Sequence, residues 1–249
     1  GFLDKLRAGG GGGYTEDMRA RSGERKSGAL GTLGILGGLA LAASLFLNVF
    51  LYQKTKKMEA GILVIEVLDG DTFLLDGKVR VRLRHADAPE LSFCGGAQAK
   101  KLLTNLVKEK KVVLQEQILD QYGRPLALIY AGNTLVNLEM LKSGWARYHH
   151  DNSSQKSVLE EAAAAAQKEA RGIFSPLCHQ KENRENPACQ IKGNIDKRTG
   201  LKKYFFPGCA QYDFAIVEKD IGEAWFCREE EAQKAGFTRA ETCPKGQQG

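Results

Sequence analysis

Residues 67–90 read VLDGDTFLLDGKVRVRLRHADAPE, and the fold turns on this stretch. Val79, Val81 and Leu83 alternate with Arg80, Arg82 and Arg84, the period-two pattern of a strand with one buried face. Asp76-Gly77, just before it, is a two-residue hairpin signal. With that turn Leu75 pairs with Lys78, and the ladder sets Asp71 opposite Arg82 on one face. An exposed cross-strand ion pair is worth only about a few tenths of a kcal/mol, so the pair alone says little about function. Upstream, ILVIEVL (62–68) is β-branched and apolar, and Asp69-Gly70 turns it into DTFLL (71–75). Downstream, Asp87 and Glu90 bracket Pro89, which stiffens the loop leaving the strand.

Outward from this hairpin the elements alternate. A helix is predicted from about Ala97 to Lys110, with Leu102, Leu103, Leu106 and Val107 as its apolar stripe. VVLQEQI (112–118) reads as a strand. In DQYGRPLALIYA (120–131) a turn at Tyr122-Gly123 leads Arg124 into another strand. NTLVNLEMLKSGWA suggests a helix of about ten residues that starts at Asn133 or Thr134 and ends near Gly144. VLEEAAAAAQKEARG (158–172) is a second strong helix with Gly172 as its stop. Five strands with interleaved helices imply an α+β domain built on a small barrel.

VLDGDTFLL, VRLRHADAPE and DQYGRPLALIY, in this order and spacing, resemble the thermonuclease (staphylococcal-nuclease-like) family over roughly residues 60–178. The resemblance implies an OB-type five-stranded β-barrel with about three helices. It implies calcium-dependent hydrolysis of phosphodiester bonds in DNA and RNA, with single strands preferred and 3′-phosphate products. Asp71 and Asp87 match the metal-binding carboxylates, and Ala88 stands where the family usually has Thr and contributes a backbone carbonyl. Glu90 matches the proposed general base, and Arg82 and Arg124 match the arginines on the scissile phosphate. Asp69 and Thr72 match positions that support this set, and Tyr122 and Tyr148–His150 match groups near the nucleotide. Hard oxygen ligands suit calcium, and guanidinium forks suit a phosphoryl group gaining charge. The alternative is an inert barrel that binds nucleic acid or protein without cleaving it. Degenerate barrels usually lack several of the charged positions, and this chain retains Asp71, Arg82, Asp87, Glu90 and Arg124.

Composition bounds the rest of the chain. At 249 residues, 43% hydrophobic and 27% charged, it is too apolar for a disordered chain and too charged for a polytopic membrane protein. Residues 1–57 hold nine Lys/Arg against four Asp/Glu, whereas 61–177 hold fifteen against fourteen. The net charge of +6 is therefore mostly N-terminal and is no sign of duplex binding by the barrel. Residues 29–52, ALGTLGILGGLALAASLFLNVFLY, carry no charge and are long enough to span a bilayer. They predict an uncleaved transmembrane helix behind a flexible tail (1–28); a cleaved signal peptide would give a secreted protein instead. Six Lys/Arg precede the span and three follow it closely, which favours a cytoplasmic N-terminus and an extracytoplasmic barrel.

All six cysteines follow the span, which suggests disulfides; no CxxC pair supports the competing zinc reading. Cys94 follows the Glu90 loop and Cys178 follows the last helix, and a bridge between them is expected. Residues 179–188 read as a linker, and 189–243 as a small disulfide-rich α+β module with strand-like pieces at Gln190–Ile195, Lys203–Phe206 and WFC, and a helix at Glu229–Ala235. Of its three possible connectivities the nested one, Cys189–Cys243 with Cys209–Cys227, is favoured. Its IKGNI…PGC…EAWFC…EEEAQKAGF pattern resembles a module appended to bacterial extracytoplasmic nucleases and other surface proteins. Tyr204, Phe205, Phe206, Tyr212 and Trp225 read first as its core and second as base-stacking groups.

Overall fold

The computed structural model describes residues 41–51 and 61–244. The chain divides into two units, 1–52 and 53–249. In the first, residues 41–51 form helix α1, exposed along its whole length. Among the described residues no helix is long and apolar enough to cross a membrane. Residues 29–40 and 52 of the expected span, and the tail at 1–28, lie outside the described residues.

The second unit begins with β1 (Ile62–Val67), β2 (Thr72–Leu75), β3 (Arg80–Leu83) and the short β4 (Ala86–Asp87). Helix α2 (Gly96–Val107) follows, then β5 (Lys111–Leu119), β6 (Pro125–Ala131), β7 (Thr134–Leu135), α3 (Val136–Lys142), β8 (Arg147–Tyr148) and α4 (Lys156–Lys168). The sheet runs β3-β2-β1-β5-β6, and a parallel pairing of β3 with β6 closes it into a five-stranded barrel. Closure needs bent strands, and the ladder shifts register in β1 between Val64 and Glu66 and in β5 between Gln115 and Ile118. Val64, Phe73, Val81, Leu128 and Ile129 have no exposed surface, and α2 and α3 add Leu103 and Met140 to the same core.

Three local expectations are corrected. The hairpin is one residue longer than Asp76-Gly77 implies. Lys78 N–H donates to the Leu75 carbonyl (2.9 Å), Leu75 N–H to the Val79 carbonyl (2.9 Å), and Lys78 takes a left-handed φ of 62°. Thr72, and not Asp71, therefore stands opposite Arg82. Helix α3 starts later than expected, because Thr134 and Leu135 pair with Ala131 and Tyr130 as β7. Helix α4 stops before Gly172. Ala170 adopts φ 51° while Ala170 N–H reaches Gln167 O (3.1 Å) and Arg171 N–H reaches Ala166 O (2.9 Å), a left-handed cap built on alanine.

The C-terminal part contains β9 (His179–Gln180), β10 (Ile191–Ile195), β11 (Lys202–Phe205), β12 (Val217–Glu218), β13 (Ala224–Phe226), α5 (Glu229–Lys234) and β14 (Thr238–Arg239). Its sheet runs β13-β10-β11-β14 over a core of Ile191, Tyr204, Phe206 and Phe237. Within the stretch read as a linker, His179 and Gln180 pair with Glu218 and Val217. Cys94–Cys178 forms as expected, but the module's bridges are Cys189–Cys227 and Cys209–Cys243, interlaced and not nested. Strand register dictates this. Ile191 faces Phe226 in the antiparallel pair, so Cys189 comes beside Cys227. Tyr204 lies beside Arg239 in the parallel pair, so the chain beyond each strand brings Cys209 to Cys243.

Candidate active site

The Asp69–Asp71 turn is tight because Leu68 and Asp69 N–H both reach the Thr72 carbonyl, and Asp71 N–H donates to Asp69 Oδ1 (3.0 Å). Gly70 lies under the neighbouring loop and helix. A Cβ there would meet the methyls of Ala88 and Ala99 at 2.5 Å, so glycine is what lets the Asp71 turn and the Ala88 loop touch. Asp71 is only 2% exposed. Its Oδ2 accepts from Ala88 N–H (2.9 Å) and lies 2.9 Å from Arg82 Nη2, and its Oδ1 accepts from the Thr72 hydroxyl (2.7 Å). Asp69 and Thr72 thus hold Asp71 from both sides.

Arg82 Nη2 also donates to Asp87 Oδ1. One guanidinium nitrogen therefore bridges the two carboxylates that the sequence singled out. Burial pushes the Asp71 carboxyl up to about 7 against the pull of Arg82, with nearby Asp69 adding to the rise and the Ala88 and Thr72 hydrogen bonds opposing it. Burial disfavours the Arg82 charge, but Asp71 and Asp87 outweigh it and its pKa is raised. One arginine, shared with Asp87, does not offset the burial of Asp71, an environment that would favour a hard cation beside it. Among the described residues no group of three His, Cys, Asp or Glu side chains forms a metal cage. Asp71 and Asp87 therefore fit a cation as a two-carboxylate site completed by backbone oxygen, as expected at Ala88, and by water.

Parallel pairing sets Arg82 beside Leu126, so Arg124, two residues before Leu126, shares the face of Arg82. Asp120 shapes the turn that delivers it. Its Oδ1 accepts from Tyr122 N–H (2.9 Å) and Arg124 N–H (2.8 Å), its Oδ2 from Arg124 Nε (2.7 Å), and the guanidinium lies 5.2 Å from the Tyr122 ring centroid. Arg82, Asp87, Arg124, Tyr122, His85 and His149 line one open cleft of about 440 Å³. Glu90 is exposed outside that lining. Among the described residues its carboxylate takes no hydrogen bond or ion pair, while its backbone carbonyl accepts from Phe93 N–H (2.9 Å).

Several residues here escaped the sequence reading. Arg84 is buried and ties the barrel to the 151–154 loop through Asp151 and the Asn152 carbonyl, and it also donates to the Glu116 carbonyl of β5 (2.8 Å). His85, with φ 64°, bonds Ser153 Oγ (2.8 Å) and the His149 carbonyl (3.1 Å) and stacks on Tyr148 with ring centroids 5.6 Å apart. Tyr148 in turn meets His150 edge-on at 4.9 Å, and of the Tyr148–His150 stretch it is His149 that lines the cleft. Arg147 pairs with Asp87 across β4 and β8 and clasps buried Asp220 of the C-terminal module at 2.6 and 2.9 Å. The only sequence signals were the Asp at the head of the DQYGR turn and the arginine immediately before His85.

A family profile described as Staphylococcal nuclease homologue matches residues 80–176. A protein of Haemophilus influenzae described as an uncharacterized endonuclease is 38% identical over 120 residues, 45% of this chain and 65% of its own length. A micrococcal nuclease of Shigella flexneri is 32% identical over 45% of this chain and 72% of its own length. A thermonuclease of Staphylococcus intermedius is 30% identical over 55% of this chain and 95% of its own length. Two probable staphylococcal-like nucleases of rice match over only 30% and 31% of their lengths, so the chain spans less than two thirds of several of these relatives.

Proposed function

This chain belongs to the family of staphylococcal nuclease homologues, and from that premise we propose that its barrel hydrolyses phosphodiester bonds in nucleic acid. The convergence of Asp71 and Asp87 on Arg82, in a cleft shared with Arg124, is the observation that carries this reading. Arg82 and Arg124 present fixed donors to the phosphoryl oxygens and favour the more highly charged transition state. Asp71 and Asp87, with the Ala88 carbonyl, would hold a divalent cation, for which calcium is our choice. When bound, calcium supplies positive charge against the phosphate and lowers the cost of charge developing there. Glu90, exposed beside the cleft and not in its lining, is the acceptor we assign to the proton of the attacking water as the water oxygen bonds phosphorus. The P–O5′ bond breaks, the departing oxygen is protonated from solvent, and a 3′-phosphate remains. The open cleft suits a single strand, of DNA or RNA, better than a stiff duplex.

We also propose that residues 29–52 anchor the protein with its N-terminus in the cytoplasm and the nuclease outside. Three disulfides suit that side of the membrane. Extraction of membranes with alkaline carbonate tests the anchor: the chain should stay in the pellet, and release into the supernatant contradicts it. For the activity, the full chain in detergent is incubated with labelled single-stranded DNA and RNA in calcium, magnesium or EDTA. Cleavage in calcium that EDTA abolishes and added calcium restores is expected. Binding without cleavage, unchanged by calcium, would favour the inert-barrel alternative.

A further inference from the structure

The C-terminal module holds a second cleft, of about 540 Å³, which shares no lining residue with the first. The rings of Tyr212 and Trp225 line it, Lys192 lies between them, and Lys181 and Arg184 add two exposed cations. Both rings are fixed by their polar ends. Tyr212 Oη donates to the Gln190 carbonyl (2.8 Å), and Trp225 Nε1 donates to Gln180 Oε1 (2.9 Å). The structure thereby sorts the module's aromatics. Tyr204 and Phe206 are buried in its core, whereas Tyr212 and Trp225 stay half-buried on the cleft.

Lys192 is the unusual group. It is 2% exposed, and its Nζ sits 4.3 Å from the Tyr212 ring centroid and 5.5 Å from that of Trp225. Two of its three N–H bonds have acceptors, the Tyr212 carbonyl (2.8 Å) and the Ala215 carbonyl (2.7 Å). Among the described residues no carboxylate forms an ion pair with it; Glu182 and Asp213 line the same cleft and attract it only from a distance. Burial pulls its pKa down. A buried ammonium without a counter-ion is costly; the two carbonyls and the two ring faces offset part of that cost and leave one N–H for a further acceptor.

We propose that this cleft binds one nucleotide of a single-stranded nucleic acid, with its base against Tyr212 and Trp225 and its phosphate beside Lys192, Lys181 and Arg184. Stacking on fixed rings accepts any base, because every base has a π-face. Glu182 and Asp213 limit the positive charge, which suits one phosphate better than a polyanion track. The proposal rests on the module's own residues; the nuclease reading supplies only the reason why a second hold on the strand is useful.

The test is fluorescence anisotropy of a short labelled oligothymidylate added to the full chain in EDTA. Two variants are compared with the wild type: Tyr212→Leu, and the paired exposed changes Lys181→Glu with Arg184→Glu, which bury nothing. Each should weaken binding about tenfold, the size of one lost base–aromatic stack. Calcium-dependent cleavage of a dinucleotide substrate, too short to reach the second cleft, should be unchanged. Wild-type affinity in the charge-reversed pair, with its thermal transition intact, would overturn the proposal. So would competition by polyglutamate as effective as by the oligonucleotide, because that would show charge recognition without bases. The two readings fail separately. A chain that cleaves nothing but loses affinity in these variants keeps the second cleft, and one that cleaves but binds equally in all of them loses it alone.

Discussion

The barrel and the C-terminal module reach stability by different routes. Twenty-one buried apolar residues make the barrel core, continuous from β1 through α4, whereas the module's core has eight, two of them half-cystines. A closed sheet packed by three helices supplies its own core, while a module this small relies on covalent staples. Chemistry divides in the same way. The barrel places opposed charges on rigid strands around an open cleft, and the module presents fixed aromatic rings over a buried lysine.

The strongest way to break this comparison is to remove a staple. Cys209→Ala with Cys243→Ala opens a loop of sequence separation 34, which corresponds to about 4 kcal/mol of chain entropy. Calorimetry of the full chain should then show the module melting first, with the barrel transition near its original temperature. Loss of both together would mean that the barrel depends on the module for its fold.

Next in size is the junction between them. Arg147 has a side chain 22% exposed and clasps Asp220, whose side chain is 1% exposed, with Glu218 at 3.5 Å. Burial disfavours the charge on Glu218, yet Lys197, Arg147 and His179 outweigh it and its pKa is lowered. Arg147→Met strands a buried carboxylate and should cost about 3 kcal/mol. Asp220→Leu in the same chain should recover part of the stability. A melting temperature unchanged by Arg147→Met would show that the two regions are not coupled through this contact.

The smallest expected effect is in acid and belongs to the barrel. The Arg84 hydrogen bond holds Asp151 below its ordinary carboxyl range, against a smaller opposing push from burial. A lowered folded-state pKa contributes stability above the ordinary value of 3.8, and that stability is lost as pH falls through the folded pKa. Asp151→Asn should therefore shallow the acid-induced loss of barrel stability, by less than about 1 kcal/mol, and leave the module's acid response unchanged. An identical acid profile in the variant would remove Asp151 from the account.

The barrel was legible because its signals are local. Alternation in 79–84, the Asp-Gly turns and the apolar stripe of α2 each specify an element without long-range information. The hairpin register was missed by one residue because a left-handed Lys78 gives no composition signal of the kind Gly or Asn gives. The nested disulfides failed for a different reason. Connectivity follows strand register, and a parallel β11–β14 pair between segments far apart in sequence cannot be read from either segment alone. At the site, Asp71, Arg82, Asp87 and Arg124 stood in recognisable motifs. Asn137 did not: its side chain caps the Ile129 N–H (2.8 Å) and donates to the Arg84 carbonyl (2.7 Å), bonds that exist only once α3 packs on the barrel.

The central claim is that the charged cleft of the barrel, and not the module, cleaves phosphodiesters. The most direct test measures calcium-dependent cleavage of labelled single-stranded DNA by the full chain, beside Arg124→Ala and Glu90→Gln, both on exposed or half-buried side chains, with unchanged melting temperatures as the control. The account predicts a loss of about 100-fold or more in each variant, the size of one lost transition-state donor or a lost proton acceptor. Cleavage at the wild-type rate in both variants would contradict it and place the chemistry elsewhere.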